Sequence, residues 1–518
     1  MKIVSAITMQ HLDQETINRY KIPGETLMER AGKAVAECVI DNIKRFKMAP
    51  FVVLFAGKGN NGGDSFVAAR YLQKAGVRNL TILLADEKSL TGDAFLNFTR
   101  LKETGADIVT ALSMNDLKPF ESRIDGSSII VDGILGTGIK GEVTGFYADV
   151  IKYLNSLEKF VIAIDIPSGM NGNDGVPDCI CINANVTVTM GLPKQGFFSG
   201  KSLNYLGRLI VADIGIPDEL IEKAESRGEL ITKKDMRYLF PRRKRISHKG
   251  DYGRLMALCG SRGYTGAGAL VTQSAMRCGT GLAYLMVPES LNAAMEAKLT
   301  EVITIPIAET EAGTPAYKAL DFVLDRFSLC DVAVIGPGLS THPDTERLVR
   351  GIMMKARVPL VLDADGINCI SKERSLLLNY KGDCVITPHI GEFARLTGTT
   401  TDEVLRNSWS MASDFAQKYG LTVVLKCAQT VVASHEGKIF VNVEGNAGMA
   451  TAGTGDVLTG IIASLIGQGL KPIDAARLGV FLHGKAGNIA ADKYGEESVI
   501  ASDLIDALPS AIKSLKIG

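Results

Sequence analysis

The sequence lacks the features of several protein classes. Its 518 residues carry no net charge, because 57 lysines and arginines balance 57 aspartates and glutamates. No overall basic field therefore favours nucleic acid or a membrane surface. No apolar run approaches the roughly 20 residues needed to cross a bilayer. The nine cysteines contain no CxxC pair, and an odd number without a framework is typical of a reducing compartment. We expect a cytoplasmic protein with no membrane and no nucleic-acid partner.

The length predicts at least two domains, because 518 residues are too many for one hydrophobic core. Residues 218–247 interrupt the pattern of the chain: they are rich in charge and end in a basic cluster at 242–245. Four basic residues without interleaved aromatics favour a solvated hinge over a nucleic-acid patch. We place a first domain at 1–217, a linker at 218–234 and a second domain at 235–518.

Apolar runs of strand length alternate with helical patterns in both halves, which predicts βαβ units and mainly parallel sheets. The expected fold class is α/β, with two doubly wound domains. Strand candidates of the first half are 51–56, 80–85, 129–133, 160–166, 186–190 and 208–214. Those of the second half are 254–260, 282–287, 302–307, 332–336, 359–364, 384–387 and 421–426, followed by a hairpin of 430–434 and 438–443.

Polar loops follow three strand candidates of the first half. Gly57, Gly59 and Gly62 satisfy GxGxxG after a strand, which alone is a weak signal for a dinucleotide-binding fold. Asp132 opens the loop DGILGTGIKGE, and Asp165 opens DIPSG. Because ligands lie beyond the carboxyl ends of parallel strands, these loops are expected to meet in one crevice.

Three side chains of these loops form a candidate cation site: Asn60, Asp132 and Ser168. An amide oxygen, a carboxylate and a hydroxyl suit a hard cation. Potassium is our first choice, and the same ligands leave magnesium and calcium open. Asp165 is the candidate acid or base. For each aspartate alone, a turn-capping role is an equally good interpretation.

The stretch GNAGMATAGTGDVLTG, residues 445–460, is the main candidate for chemistry in the second half. Its glycines precede apolar residues with helical spacing. A helix that begins there directs unpaired N–H groups and the positive end of its dipole at an anion such as a phosphoryl group. Asp456 can take a proton from a hydroxyl that attacks phosphorus. The alternative is that Thr454 or Asp456 only caps the helix.

Further loops of the second half carry polar groups at predicted strand ends. His389, in TPHIGE, lies on such a turn, although a lone histidine is often a structural one. Lys426, in KCAQT, can meet a phosphate or can be an ordinary exposed lysine. HKGDYG at 248–253, GPGL at 336–339 and DADG at 363–366 complete the set.

The motifs GKGNNGGD, VDGILGTGIKGE, DIPSG and PKQG resemble the NAD(P)H-hydrate epimerase family over nearly all of residues 1–217. The resemblance implies that Asn60, Asp132 and Ser168 hold potassium and that Asp165 is catalytic. It implies a substrate site formed by Gly59, Asn60, Asn61, Gly62, Gly63, Gly136, Thr137, Gly138, Ile139, Lys140, Gly141, Glu142 and Asp165. Ser65 departs from the glycine that is common after the Asp of the first motif.

The second half, from about 235 to 518, resembles the ribokinase-like superfamily and, within it, the ADP-dependent NAD(P)H-hydrate dehydratases. HKGDYG, GPGL, DADG, TPHIGE and GTGDVLTG carry this resemblance. It implies that the hydrate is contacted by Ala269, Gly338, His389 and Asp456, with Asp456 catalytic. It implies a nucleotide site formed by Lys426, Cys427, Ala428, Gln429, Thr430, Gly453, Thr454 and Gly455. Cys427 stands where the family commonly has glycine.

The two resemblances together imply an enzyme that repairs hydrated NADH and NADPH, with potassium at the epimerase site and magnesium at the dehydratase site. The first domain would interconvert the R and S hydrates, and the second would dehydrate the S form with ADP as co-substrate. A homo-oligomer is expected. Two alternatives remain open: a ribokinase-type small-molecule kinase with a nucleotide-binding module before it, and an NAD-dependent oxidoreductase in the first half.

Overall fold

The computed structural model describes residues 1–138, 141–175, 180–199 and 201–516. The chain divides into two compact units, Met1–Gly228 and Glu229–Gly518. The segment predicted as a linker holds a helix, Asp218–Lys223, a strand, Gly228–Leu230, and the start of the helix Lys233–Arg237. That the first domain ends at 217 and the second begins at 235 stays a prediction.

The first unit is an α/β domain. Its strands are β1 (Lys2–Ile3), β2 (Phe51–Ala56), β3 (Arg78–Leu83), β4 (Ile108–Thr110), β5 (Ile129–Gly133), β6 (Phe160–Ile164), β7 (Val186–Met190) and β8 (Arg208–Ala212). Its helices are α1 (Ala6–Asn18), α2 (Gly24–Phe46), α3 (Asn60–Lys74), α4 (Gly92–Glu103), α5 (Met114–Leu117), α6 (Glu121–Asp125), α7 (Gly145–Ser156), α8 (Leu203–Leu206) and α9 (Asp218–Lys223).

Strands β2 to β8 form one parallel sheet in the order β4-β3-β2-β5-β6-β7-β8. Successive residues of a strand face opposite sides, so Val52 and Leu54 pack with α1 to α4 while Val53 and Phe55 pack with α5 to α7. The strand order reverses between β2 and β5. In such sheets the ligand crevice lies outside the carboxyl ends of the strands at this point.

The second unit is a larger α/β domain. Its strands are β9 (Gly228–Leu230), β10 (Arg254–Leu258), β11 (Leu282–Pro288), β12 (Ile303–Ile307), β13 (Val332–Ile335), β14 (Leu360–Leu362), β15 (Cys384–Ile386), β16 (Thr422–Leu425), β17 (Thr430–Ala433) and β18 (Ile439–Asn442). Its helices are α10 (Lys233–Arg237), α11 (Thr265–Cys278), α12 (Asn292–Lys298), α13 (Leu320–Phe327), α14 (Pro343–Lys355), α15 (Asp365–Ile370), α16 (Ser375–Asn379), α17 (Ile390–Thr397), α18 (Thr401–Arg406), α19 (Ser408–Tyr419), α20 (Thr454–Gly467), α21 (Pro472–Tyr494) and α22 (Ala501–Lys516).

The sheet of the second unit runs in the order β9-β18-β17-β16-β15-β14-β13-β10-β11-β12. It is parallel from β16 to β12, and β17 is antiparallel to both of its neighbours. One face packs on α11, α20, α21 and α22, and the other on α13 to α17 and α19. The order reverses between β10 and β13, which predicts a ligand crevice at their carboxyl ends.

The structure confirms the predicted fold class, two doubly wound α/β domains, and the hairpin of β17 and β18. Strand β4 was not predicted, because it has three residues and none of them is fully buried. The cysteines in the part of the chain that the structure describes are free. Within the same residues, no helix has both the length and the apolar character that a bilayer span requires.

Candidate active sites

The predicted crevice of the first unit lies at the carboxyl ends of β2, β5 and β6. Helix α3 begins at Asn60, and the amide of Asn61 donates to the carbonyl oxygens of Leu135 at 3.1 Å and Ile164 at 2.7 Å. This side chain therefore joins the ends of all three strands. A Cβ at Gly62 would lie 1.9 Å from the carbonyl oxygen of Gly57, so the turn between β2 and α3 requires glycine there.

The loop after β5 brings the remaining predicted substrate residues to the same end of the sheet. Gly136 and Thr137 are half-buried, whereas Gly138, Gly141 and Glu142 are exposed. Ile139 and Lys140 lie outside the described residues. Gly59 and Asn60 are exposed, and Gly63 is buried. These positions are compatible with a substrate site, and their contacts with a substrate stay predictions.

Asp132 and Ser168 of the predicted cation site are in direct contact. Both are fully buried, and the Ser168 hydroxyl donates to Asp132 Oδ1 at 2.6 Å. Asp132 Oδ2 accepts the backbone N–H of Ser168 at 2.8 Å. Burial raises the pKa of the Asp132 carboxyl to about 6. A carboxylate and a hydroxyl at one strand edge fit a hard cation, with the exposed Asn60 at the start of α3 as the third predicted ligand.

Asp165 forms a buried ion pair that the sequence analysis missed. The ammonium of Lys194 lies 2.5 Å from Asp165 Oδ1, and their side chains are 1% and 13% exposed. Lys194 also contacts Thr189 Oγ1 at 2.8 Å and the carbonyl oxygen of Met190 at 3.0 Å. Lys194 belongs to the PKQG motif. Its position after a buried strand could have indicated from the sequence that it lies at the site.

The backbone of Asp165 is in the left-handed region, with φ of 61°. Non-glycine residues rarely adopt this conformation, and it concentrates at functional sites. Two further carboxyl groups, Asp13 on α1 and Asp64 on α3, interact electrostatically with Asp165 and Lys194. Neither of them was predicted from the sequence.

The second crevice contains the N-terminus of α20. Gly453 precedes this helix with φ of 90°, a conformation that favours glycine. Asp456 lies in the first turn of α20, and burial raises the pKa of its carboxyl from 3.8 to about 7, with a further increase from the charge of Asp363. A carboxyl with a pKa near neutrality is suited to proton transfer at the pH of the cell.

Lys426 lies beside this helix N-terminus. A Cβ built on Gly455 would be 3.1 Å from its Nζ atom. The ammonium contacts Asp363 Oδ1 at 2.7 Å, and Asp363 Oδ2 accepts the hydroxyl of Thr459 at 2.7 Å. The charges of Asp363 and Glu392 and the hydrogen bond to Asp363 together raise the pKa of Lys426 despite its burial. The site therefore holds a cation where the predicted nucleotide phosphates would lie.

His389 has a structural role as well as a predicted one. Its Nδ1 accepts the backbone N–H of Gly391 at 3.0 Å, and Glu392 Oε2 accepts the backbone N–H of His389 at 2.8 Å, so the two residues cap α17 reciprocally. Burial lowers the pKa of His389, assisted by the charge of Lys426. Its side chain is 54% exposed, which leaves its other face open to a ligand.

A second histidine, which the sequence analysis missed, supports the start of α20. His483 Nε2 lies 2.8 Å from the carbonyl oxygen of Thr454. Since a carbonyl oxygen can only accept, Nε2 carries the proton. Burial lowers the pKa of His483 to about 4. The Thr454 hydroxyl donates to the carbonyl oxygens of Met449 and Thr451, so Thr454 is fixed on both sides.

The other predicted residues of the second site differ in exposure. Ala269 lies on α11 and is 1% exposed. Gly338 lies in the loop after β13, at the reversal of strand order, and its φ is 64°. Cys427 Sγ lies 2.8 Å from the carbonyl oxygen of Gln429, and Ala428 at the tip of the same loop is exposed. Thr430 is the first residue of β17. No group of three or more metal-ligating side chains occurs in the ranges that the structure describes.

Two mainly parallel sheets that each carry polar, glycine-rich loops at a reversal of strand order are typical of two-domain α/β enzymes that bind nucleotides. Residues 24–196 match the family profile described as YjeF-related protein N-terminus, and residues 255–510 match that of NAD(P)H-hydrate dehydratase. The chain belongs to the family of bifunctional NAD(P)H-hydrate repair enzymes.

Relatives from several organisms carry this name. The bifunctional NAD(P)H-hydrate repair enzyme Nnr of Moorella thermoacetica is 40% identical over 100% of this chain and 97% of its own length. The protein of the same name from Thermofilum pendens is 35% identical over the same shares. That of Escherichia coli is 31% identical over 93% of this chain and 88% of its own. The similarity therefore extends over both units.

Proposed function

We propose that the chain repairs hydrated NADH and NADPH in two reactions, one in each domain. The first domain interconverts the R and S hydrates. The second removes water from the S hydrate with ADP as phosphoryl donor and yields NAD(P)H, AMP and phosphate. The observation that carries this proposal is the position of Asp456, whose carboxyl has a pKa near neutrality and lies in the first turn of α20 beside Lys426.

Dehydration requires a better leaving group than hydroxide. The hydrate carries its hydroxyl on the carbon next to the ring nitrogen. Transfer of a phosphoryl group to that oxygen allows phosphate to depart, because the lone pair of the ring nitrogen displaces it. Asp456 takes the hydroxyl proton as the oxygen attacks phosphorus, a contribution on the order of 10²–10⁴ in rate. The N–H groups at 453–455 and the helix dipole stabilise the charge on the phosphoryl group.

The nucleotide lies, in this proposal, along the loop after β16 and the turn before α20. Lys426 faces its phosphates, and Asp363, which also accepts the Thr459 hydroxyl, holds the ammonium group in position. Magnesium usually keeps several waters and binds through one or two carboxylates together with substrate phosphates. It would accordingly be held mainly by the nucleotide here, where it would neutralise charge on the phosphates.

The first domain acts on the same carbon–oxygen bond without a phosphoryl donor. Asp165, fixed by Lys194, exchanges a proton with the hydroxyl or with water while this bond breaks and reforms. Asn60, Asp132 and Ser168 would hold potassium at the neighbouring strand ends, where its charge would orient polar groups of the substrate. The epimerase activity makes both hydrates available to a stereospecific dehydratase, which accounts for the fusion of the two domains.

A single assay tests the proposal against the kinase alternative. Purified protein is mixed with both hydrate epimers and ADP, and the reduced-nicotinamide absorbance and AMP are followed together. The proposal predicts full conversion of both epimers with one AMP formed per reduced cofactor. In a parallel reaction with ATP in place of ADP, a ribokinase-type kinase would accumulate a phosphorylated product without recovery of that absorbance. Conversion of only half of the epimer mixture would contradict the epimerase role.

A further inference from the structure

Three carboxyl groups and one ammonium group lie together in the first unit, and the reaction described above uses one of the carboxyls. Asp13 belongs to α1, Asp64 to α3 and Asp165 to the loop after β6, while Lys194 follows β7. The charges of Asp165 and Lys194 act on Asp13, and those of Asp13, Asp165 and Lys194 act on Asp64. The four groups therefore form one electrostatic cluster, which we call the acid cluster.

The charge of the acid cluster does not balance if every group is ionised. One ammonium group faces three carboxyls, and Lys194 contacts Asp165 directly. Buried like charges cannot all remain ionised, so at least one other carboxyl keeps its proton. Asp64 is 6% exposed, and burial together with the charges of Asp165 and Asp13 raises its pKa well above the usual value. Burial therefore favours the protonated form of Asp64, and Asp13 is the remaining carboxyl of the cluster.

Asp13 has an oxygen that lacks a partner within the described residues. Its Oδ1 atom is buried and forms no hydrogen bond there, although buried polar atoms are nearly always hydrogen-bonded. Burial raises the pKa of this carboxyl to about 6. The described residues leave this buried oxygen without a partner, and a substrate hydroxyl or a water molecule bound at the site would supply one.

We propose that Asp13 is a second proton-transfer residue of the epimerase site and acts on the substrate hydroxyl opposite to Asp165. This inference rests on the proposed epimerase function. Protonated Asp13 donates its proton to the hydroxyl oxygen as the carbon–oxygen bond breaks. The bonding electrons leave with the oxygen as water, and the lone pair of the ring nitrogen forms a double bond to the same carbon.

Water then adds to the other face of the ring, and the electron pair of that double bond returns to nitrogen. The attacking water gives its proton to Asp165, so one water leaves and one enters without any co-reactant. In the reverse direction the two carboxyls exchange roles. Exchange with solvent restores the proton on Asp13.

The test compares Asp13→Asn with Glu15→Gln, the same change of charge two residues further along α1 at an exposed position. Rates of R-to-S interconversion are measured from pH 5 to 9 in the full-length protein, with Asp13→Glu as the conservative variant. In the wild type, kcat/KM is expected to fall as the pH rises through about 6, because the acid must be protonated. Asp13→Asn is expected to lower the interconversion rate on the order of 10²-fold or more and to remove the decrease of kcat/KM with rising pH. Asp13→Glu should restore the rate and the pH dependence, and Glu15→Gln should leave the rate and the pH dependence unchanged.

The remaining outcomes each decide the question. A rate for Asp13→Asn within about threefold of the wild type would overturn the role of Asp13 and leave the epimerase assignment intact. A lower rate with the same pH profile would also overturn it, since it would indicate a structural effect alone. Wild-type protein that interconverts no epimers would overturn both the epimerase function and the inference that rests on it.

Discussion

Lys426 Nζ and Asp363 Oδ1 are 2.7 Å apart, and the two residues follow strands β16 and β14, which are separated by β15. Their contact therefore connects the carboxyl ends of two non-adjacent strands at the second active site. Because Asp363 also accepts the Thr459 hydroxyl of α20, the ion pair fixes the helix N-terminus relative to the sheet. Stability and the proposed nucleotide binding would therefore depend on the same pair.

Replacement of Lys426 by methionine should reduce both properties. The change leaves the carboxylate of Asp363, which is 1% exposed, without its cation. Breaking a buried pair in this way costs about 3–5 kcal/mol. Lys438→Met, at an exposed surface pair with Glu436, is the control and should cost less than about 1 kcal/mol. The fluorescence of Trp409, the one tryptophan of the chain, reports denaturant unfolding of the second unit. Equal midpoints for the two variants would contradict the prediction.

The dehydratase rate should depend on the ionisation of Asp456. The pKa of its carboxyl is about 7, and the base must be ionised, so kcat/KM should rise with pH through this value. Asp456→Asn should lower the dehydratase rate on the order of 10²–10⁴-fold and leave epimerisation unchanged. Activity of this variant at the wild-type level would remove Asp456 from the mechanism.

The same substitution should change how stability depends on pH. The folded protein holds a proton on Asp456 between pH 3.8 and about 7, where the unfolded chain has released it. Stability from this group is therefore lost as the pH rises through that window. Asp456→Asn should lack this loss, so its thermal midpoint relative to the wild type should be higher at pH 8 than at pH 5. Melting curves at the two pH values provide the measurement.

Asp165 should be tested with asparagine rather than with alanine alone. Asparagine tolerates the left-handed backbone of this position better than alanine does, and it removes the negative charge. Asp165→Asn should abolish R-to-S interconversion and leave dehydration of the S hydrate unchanged. Asp165→Ala should add a loss of stability of about 1–2 kcal/mol. Loss of both activities in Asp165→Asn would contradict separate sites.

Two glycines with similar backbones separate strain from steric contact. Gly453 and Gly469 have φ of 90° and 96°, but a Cβ at Gly453 would lie 2.5 Å from Leu270 Cδ1, whereas a Cβ at Gly469 would meet no atom within 4 Å. Both alanine variants should lose about 1–2 kcal/mol from backbone strain. Gly453→Ala should lose more and should also lose dehydratase activity. If Gly453→Ala and Gly469→Ala had the same stability and the same dehydratase activity, the contact with Leu270 would not be decisive.

Sequence patterns predicted the sheets well, because strands buried on both faces are continuous apolar runs. Strands β2, β5 and β7 have the predicted bounds. The loops after β2, β5 and β6 were expected to meet, and Asn61 joins these strand ends. Such predictions succeed where one local pattern determines the result.

Side-chain pairs across the fold were harder to predict. Asp165 and Lys194 are 29 residues apart, and Lys426 and Asp363 are 63 apart. Each pair depends on the order of strands in the sheet, which the local sequence does not specify. Asp13 was missed for a related reason: it lies on an amphipathic helix, and only the packing of α1 brings it to Asp165.

His483 and Asp456 respond to acid in opposite senses. As the pH falls from 7 towards 4, protonation of buried Asp456 stabilises the folded chain. Over the same range His483 is protonated in the unfolded chain but not in the folded chain, because burial lowers the pKa of His483 in the folded chain to about 4. This difference stabilises the unfolded chain. The two effects on unfolding offset each other. Protonation of Asp456 below pH 7 would thus lower the proposed dehydratase rate gradually, and a return to neutral pH would restore the rate without any refolding.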